Sequence, residues 1–429
     1  MTIEHLHRLF LEHPIAVSDT RQMVAGSIFF ALKGAQFNGN AFASQALKAG
    51  AAWVIVDEPQ ARLNDRCILV EDVLSTLQDL ARFHRNQYQI PVIGITGTNG
   101  KTTTKELINS VLSSHFRTIS TCGNLNNHIG VPLTLLKISS DTEVAIIEMG
   151  ANHQGEIAFL CSLAQPACGI ITNIGKAHLE GFGSYEGVIR AKSELYQFLE
   201  NHHGTALVNH DDPLLIEKSS NVGRTTYGMT SSANCHGEIV SSDPFLSMRW
   251  KRGDQSLEIK TQIVGDYNAP NVLAAICAGM VFNVPEDKIV RAIAGYQPTN
   301  NRSQVIDTGR NLVIMDAYNA NPTSMEAALR NFSRLQLPEK IAIIGDMLEL
   351  GKETIPEHKQ IFELTESMGF ERVYYIGPVF CQVVENTGNF CFENSDKAMK
   401  WFKMNPLTGS TVMLKGSRSM RLELLMEVL

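Results

Sequence analysis

The 429-residue sequence has no Cys-x-x-Cys pair, no basic tail, no internal repeat or low-complexity segment, and no apolar run near the ~18 residues of a membrane span. Each absence excludes something. Without a basic stretch, and at a net charge of −7, nucleic-acid binding has little electrostatic support, so an anionic ligand needs a locally positive site. The opening MTIEHLHRLF lacks the basic end and apolar core of a signal peptide, and a cytoplasmic protein without a membrane span is expected. Eight cysteines, Cys67, Cys122, Cys161, Cys168, Cys235, Cys277, Cys381 and Cys391, show no metal-type spacing. Reduced packing thiols are expected rather than a zinc or disulfide framework.

What is present is ordinary in bulk, with 44% hydrophobic and 19% charged residues, and the length suggests about three domains. Residues 1–88 contain strand-like runs at Ser27–Leu32 and Trp53–Val56 with a helix-like Phe42–Ala49 between them, a small α/β unit. From Pro91, apolar runs at Val92–Ile95, Val144–Met149, Gly169–Ile174 and Ala206–Asn209 alternate with amphipathic helices. That alternation predicts a doubly wound, mostly parallel sheet with ligands at the carboxyl ends of its strands. Thr225–Ile263 reads as a few antiparallel strands, and a helix follows over Asn271–Phe282. The Asn- and Pro-rich loop at Gln297–Ser303 marks a boundary. Beyond it, Leu312–Met315, Ile341–Ile344, Val373–Ile376 and Thr411–Leu414 alternate with helices as a second, Rossmann-like α/β domain. The expected domains are 1–88, 89–300 and 301–429.

The most informative segment is Ile90–Thr104, IPVIGITGTNGKTTT: a strand, a glycine-rich turn and a helix start. Gly97 and Gly100 let backbone N–H groups converge on one anion at the positive end of the helix. Lys101 is placed to reach outer phosphates, and the Thr102 hydroxyl to sit on Mg²⁺. The spacing departs from G-x-x-x-x-G-K-[ST], because Ile95 stands five before Gly100. The turn implies nucleotide binding without naming a reaction.

Other strand ends carry polar residues. Glu148, just before Gly150, suits a Mg²⁺ ligand, though a lone strand-end Glu is as readily a solvated carboxylate. Asn173–Glu180 brings Lys176, His178 and Glu180 into one loop, where His178 is either functional or an ordinary surface histidine. Lys192 lies inside a helix near the same edge, normally the place of a solvated charge. Asn209-His210-Asp211-Asp212 can be a turn and helix cap or a site. In the last domain, Asp316 suits ribose hydroxyls, and Asn319-Ala320-Asn321-Pro322 either edges a base or simply begins a helix. Lys415 and Arg418 suit a carboxylate or phosphate.

With these residues in place, the chain from about Asp19 to Arg418 resembles the Mur ligases, ATP-dependent amide-forming enzymes of peptidoglycan synthesis. Their phosphate loop resembles Gly97-Thr98-Asn99-Gly100-Lys101-Thr102-Thr103, and their magnesium residues resemble Glu148, His178 and Lys192. The resemblance implies ATP, two Mg²⁺ sites and a carbamylated Lys192, which makes a carboxylate-like ligand of a misplaced ammonium. Gly265–Asn271 resembles the family's Gly-x-His-Asn-x-x-Asn segment near the adenine, carrying over Asn268 and Asn271, while Tyr267 replaces the usual His. Arg302 matches the linker arginine, with Asn301 where Gly is usual. Gly123–Pro132, Tyr318–Pro322, Gly345–Gly351 and Lys415–Arg418 look like the member that adds D-alanyl-D-alanine to UDP-N-acetylmuramoyl-tripeptide. By that likeness Thr20, Arg21 and Lys33 hold the UDP end, and Asn124, Asn126, Asn127, Lys415 and Arg418 contact substrate. Lys101, His178 and Lys192 then carry the catalysis, Asp316 and Asn319 face the nucleotide, and a monomer is expected. A sister ligase adding a single amino acid and a non-catalytic nucleotide-binding protein are the competing readings.

Overall fold

A computed structural model describes residues 1–34, 36–175, 179–299 and 301–429. Near the amino terminus, four short strands, Ala16–Val17, Ile28–Phe30, Trp53–Val56 and Cys67–Leu69, form an all-parallel sheet in that order. The next sheet has nine strands, ordered Gln255–Val264, Phe245–Arg252, Cys235–Ser242, Gly223–Gly228, Thr205–Asn209, Cys168–Ile171, Val92–Thr96, Val144–Glu148 and Thr118–Ser120. Only its first two pairings are antiparallel.

Two expectations are corrected here. Gly223–Gly228, at the start of the stretch read as antiparallel, pairs parallel with both neighbours. The helix Pro213–Lys218 carries the chain back across the sheet before it, which is the connection a parallel strand requires. The strand expected at Gly169–Ile174 runs instead from Cys168 to Ile171. Thr172–Ile174 leave the ladder, and Thr172 and Asn173 bind the phosphate-type loop.

The third sheet places Gln304–Asp307 antiparallel to Leu312–Asp316, followed in parallel by Thr411–Lys415, Lys340–Gly345, Arg372–Ile376 and Phe390–Phe392. The three-domain α/β architecture with a central, mostly parallel sheet is thus present. Cys381 and Cys391 are joined by a disulfide, correcting the expectation of reduced thiols throughout. The strand Phe390–Phe392 lies beside the helix Pro378–Val383, a proximity that spacing in sequence does not encode.

One apolar core binds the first sheet to the second. Leu6, Phe10, Ile28, Leu77 and Leu80 pack in the same cluster as Val131, Leu135, Ile138, Ile157 and Leu160. The helix Val73–Arg85 supplies the bridge, and its buried Arg85 donates through Nε to the Ala164 carbonyl and through Nη2 to that of Ile90. The other face of the central sheet is covered by Lys101–Ser113 and the apolar helix Ala269–Val281. The carboxyl ends of the central strands are thereby left open toward the third sheet.

Candidate active site

The loop after Val92–Thr96 is fixed by close backbone approach. Gly97 has φ +142°, and a Cβ there would lie 2.0 Å from Thr172 Oγ1. Gly100 has φ +79°, and its Cβ would meet Asn271 Oδ1 at 2.7 Å. Both positions therefore need glycine for geometry as well as for the anion. Thr98 N donates to the Asn173 carbonyl and Asn99 N to Asn173 Oδ1, each at 3.0 Å. Asn173 Nδ2 and Thr172 Oγ1 donate back to the Asn99 carbonyl. Asn173 is a clamp that the sequence reading passed over in favour of its neighbour His178.

Lys101 begins the helix, and its Nζ donates to the carbonyls of Gly97 at 2.7 Å and Thr98 at 3.1 Å. Burial pushes this ammonium below its ordinary range, Glu148 pulls it back up, and Arg302 adds to the downward push. An arriving phosphate therefore competes for the lysine with the Gly97 and Thr98 carbonyls.

Glu148 ends its strand 1% exposed. Its Oε1 accepts from Asn126 Nδ2 at 2.8 Å, while Oε2 is buried with no hydrogen-bond partner among the described residues. A buried, unpaired carboxylate oxygen is costly unless a cation completes it. The solvated-carboxylate alternative is excluded by that burial. Thr102, 4% exposed, faces the same cavity.

Lys192 is 3% exposed on the helix Tyr185–Asn201, its Nζ 5.4 Å from the Phe182 ring centroid. Burial, then the Lys101 charge, pushes it down to about 7, against the pull of Glu156 and Glu194. It is not a solvated surface charge. His178 lies outside the described residues.

The remaining residues divide. Asn271 Oδ1 accepts from Thr104 Oγ1, Asn271 Nδ2 donates to Asn268 Oδ1, and Asn268 Nδ2 donates to the Val264 carbonyl. The two asparagines thus tie the loop helix to the neighbouring helix while lining the cavity. Tyr267 Oη and Ser303 Oγ lie 3.2 Å apart. Asn301 adopts φ +56°, so the turn for which the family uses glycine is made by asparagine, which tolerates that conformation. The Arg302 guanidinium lies 3.8 Å from the Tyr318 ring centroid with its Nε buried and unpaired among the described residues, and Arg418 lies 5.0 Å from the same ring.

Asp316 and Lys415, expected on ribose and substrate, are paired to each other at 2.5 Å at the ends of adjacent strands. Asn319 Oδ1 accepts from Ala320 N, and Asn127 Oδ1 accepts from Ile129 N and Gly130 N. Asn321 caps the helix Pro322–Arg334. Asp346 accepts from Val379 N and Phe380 N, which makes it a brace of the third domain. Asp211 accepts from Met229 N and Thr230 N and Asp212 caps Pro213–Lys218, as the turn-and-cap alternative had it. Arg21 is bonded to Asp19, and Lys33 to Asp57 and Glu58.

One cavity of about 1120 Å³ gathers Thr98–Thr103, Asn124, Asn126, Asn127, Glu148, Asn268, Asn271, Arg302, Asp316, Asn319 and Lys415, together with Gln78 from the first unit. A smaller one of about 230 Å³ adjoins it and reaches Arg418. Thr20, Arg21 and Lys33 line neither.

Models of the Mur ligase family catalytic domain, the Mur ligase middle domain and the Mur ligase glutamate ligase domain match residues 17–85, 95–279 and 301–418. This chain belongs to the Mur ligase family. UDP-N-acetylmuramoyl-tripeptide--D-alanyl-D-alanine ligase of Bacillus subtilis (strain 168) is 36% identical over 423 residues, covering 96% of this chain and 92% of that one. The crystal structure of MurF from Acinetobacter baumannii matches with a TM-score of 0.87 at 29% identity, covering 99% of this Mur ligase and 98% of that chain. MurF ligase from Thermotoga maritima in complex with ADP matches at 0.85 and 26% identity, over 97% of each chain.

Proposed function

We propose that this Mur ligase joins D-alanyl-D-alanine to UDP-N-acetylmuramoyl-tripeptide with hydrolysis of ATP to ADP and phosphate, in peptidoglycan precursor synthesis. The observation that carries the reading is the cavity in which the phosphate loop, the half-paired Glu148 carboxylate and the third domain's Asp316 and Lys415 meet.

The acceptor carboxylate attacks the γ-phosphorus and ADP leaves; the dipeptide amine then attacks the acyl carbon and phosphate leaves. Two anionic groups, the carboxylate and the triphosphate, must meet, so charge neutralisation and positioning supply most of the catalysis. Gly97, Thr98, Asn99, Gly100 and Thr103 present the loop to the phosphates, and Lys101 leaves its loop carbonyls to bind them. Thr102 and Glu148 are suited to hold one Mg²⁺, and His178 with a carbamylated Lys192 a second. Held there, Mg²⁺ would supply the positive charge that offsets the charge of the phosphates and the acceptor carboxylate. The fit rests on the orphaned Glu148 oxygen and on a buried Lys192 amine that is neutral often enough to add CO₂ and release a proton. Asn268, Asn271, Arg302, Asp316 and Asn319 serve the nucleotide. Asn124, Asn126, Asn127, Lys415 and Arg418 serve the peptide substrates, and Thr20, Arg21 and Lys33 the UDP end. Residues 1–88, 89–300 and 301–429 divide these tasks in a cytoplasmic monomer, with no covalent enzyme intermediate.

The test is product formation by the purified protein with ATP and Mg²⁺. ADP release that requires both UDP-N-acetylmuramoyl-tripeptide and D-alanyl-D-alanine, with a product mass equal to the pentapeptide, is expected. Equal turnover with a single amino acid in place of the dipeptide would assign the chain to a sister ligase.

A further inference from the structure

Asn99 stands at the tip of the phosphate loop with its backbone fully engaged by Thr172 and Asn173. Its side chain is therefore free to leave the central domain, and it does. Asn321 Nδ2, from the third domain, donates to Asn99 Oδ1 at 2.7 Å, and Asn99 Nδ2 returns a longer bond to Asn321 Oδ1 at 3.5 Å. Asn321 is 8% exposed, and its orientation is set by its own domain. Its Oδ1 accepts from Ser324 N, while its backbone N donates to Ser324 Oγ, a reciprocal cap on the 13-residue helix Pro322–Arg334. The loop and the start of that helix are thus held in one register by residues 222 positions apart.

We propose that Asn321 is a positioning residue for phosphoryl transfer, which acts by holding Asn99 and so fixes the phosphate loop against the closing third domain. Capping uses the asparagine oxygen, which receives only the longer interdomain bond; the shorter one uses its amide nitrogen. The two roles can be separated because serine caps helices about as well as asparagine but is too short to reach Asn99 as a donor. The inference rests on the ligase reading above, and wild-type product formation tests that reading by itself.

The experiment is a double-mutant cycle on kcat and on single-turnover ADP formation, the second remaining measurable in slow variants, with Asn321→Ser, Asn99→Ala and the double variant. Asn321→Ser is expected to lower the rate of ADP formation roughly 2- to 10-fold, the range of one hydrogen bond, with an unchanged melting temperature and an unchanged KM for the dipeptide. In the Asn99→Ala background the same substitution should change the rate less than 2-fold, because its partner is already gone. Independent, multiplicative losses in the two backgrounds, or an Asn321→Ser enzyme of wild-type rate, would overturn the proposal. So would a loss that follows a lowered melting temperature, since that is the signature of a cap alone.

Discussion

Replacing Lys192 with alanine is expected to lower kcat roughly 10²- to 10³-fold, the scale on which single charge-stabilising groups act in a preorganised site. The reason lies in its surroundings. A lysine normally extends its charge to water, yet this one is 3% exposed, carries its Nζ over the Phe182 ring, and feels the like charge of Lys101. An ammonium there is disfavoured by burial and by its neighbour alike. A carbamate reverses the second of these, giving Lys101 an opposite charge, and supplies the site with an oxygen ligand. Bicarbonate should not restore the alanine variant, which has no amine to modify, whereas a short-chain carboxylic acid that fits the vacated space should restore part of the rate. Lys192→Arg should be as impaired as the alanine variant, because a guanidinium keeps its charge. Steady-state ADP release checks all three, and a fully active alanine variant contradicts the carbamate role.

Glu148→Gln should raise the Mg²⁺ concentration required for half-maximal activity by about 10- to 100-fold. The substitution is almost isosteric. The amide oxygen can still accept from Asn126 Nδ2, so the orientation of the side chain is kept and only the charge and the buried Oε2 acceptor are lost. In Mg²⁺-free buffer the melting temperature is expected to change little, because relief of the buried Oε2 is offset by the loss of the negative charge that Lys101 feels. An activity loss without a stability loss marks a residue kept for a cation. A loss of both together would make Glu148 a packing element, and Mg²⁺ titrations read beside thermal melts decide between the two.

The phosphate loop was legible because everything it needs is local: a strand, two glycines with positive φ and a lysine at the helix start. Trp53–Val56 was likewise legible as a short apolar run between turns. What escaped depends on residues far apart in the chain. Asp316 and Lys415 read as two independent ligands, and only the adjacency of their strands makes them an ion pair. Gly169–Ile174 read as one strand because Ile174 follows Ile170 and Ile171 closely, while the polar side chains of Thr172 and Asn173 between them are committed to the neighbouring loop. Asn321 looked like a helix start and is one, but its amide nitrogen serves another domain. The parallel pairing of Gly223–Gly228 is decided by a one-and-a-half-turn helix too short to stand out in the sequence.

The central claim, that the acceptor carboxylate is activated by direct attack on ATP, can be read from the fate of one oxygen. UDP-N-acetylmuramoyl-tripeptide labelled with ¹⁸O in its terminal carboxylate should, with ATP and D-alanyl-D-alanine, deliver one labelled oxygen to each inorganic phosphate released, alongside ADP. Unlabelled phosphate would contradict the acyl phosphate, and label appearing in AMP would point to adenylation instead.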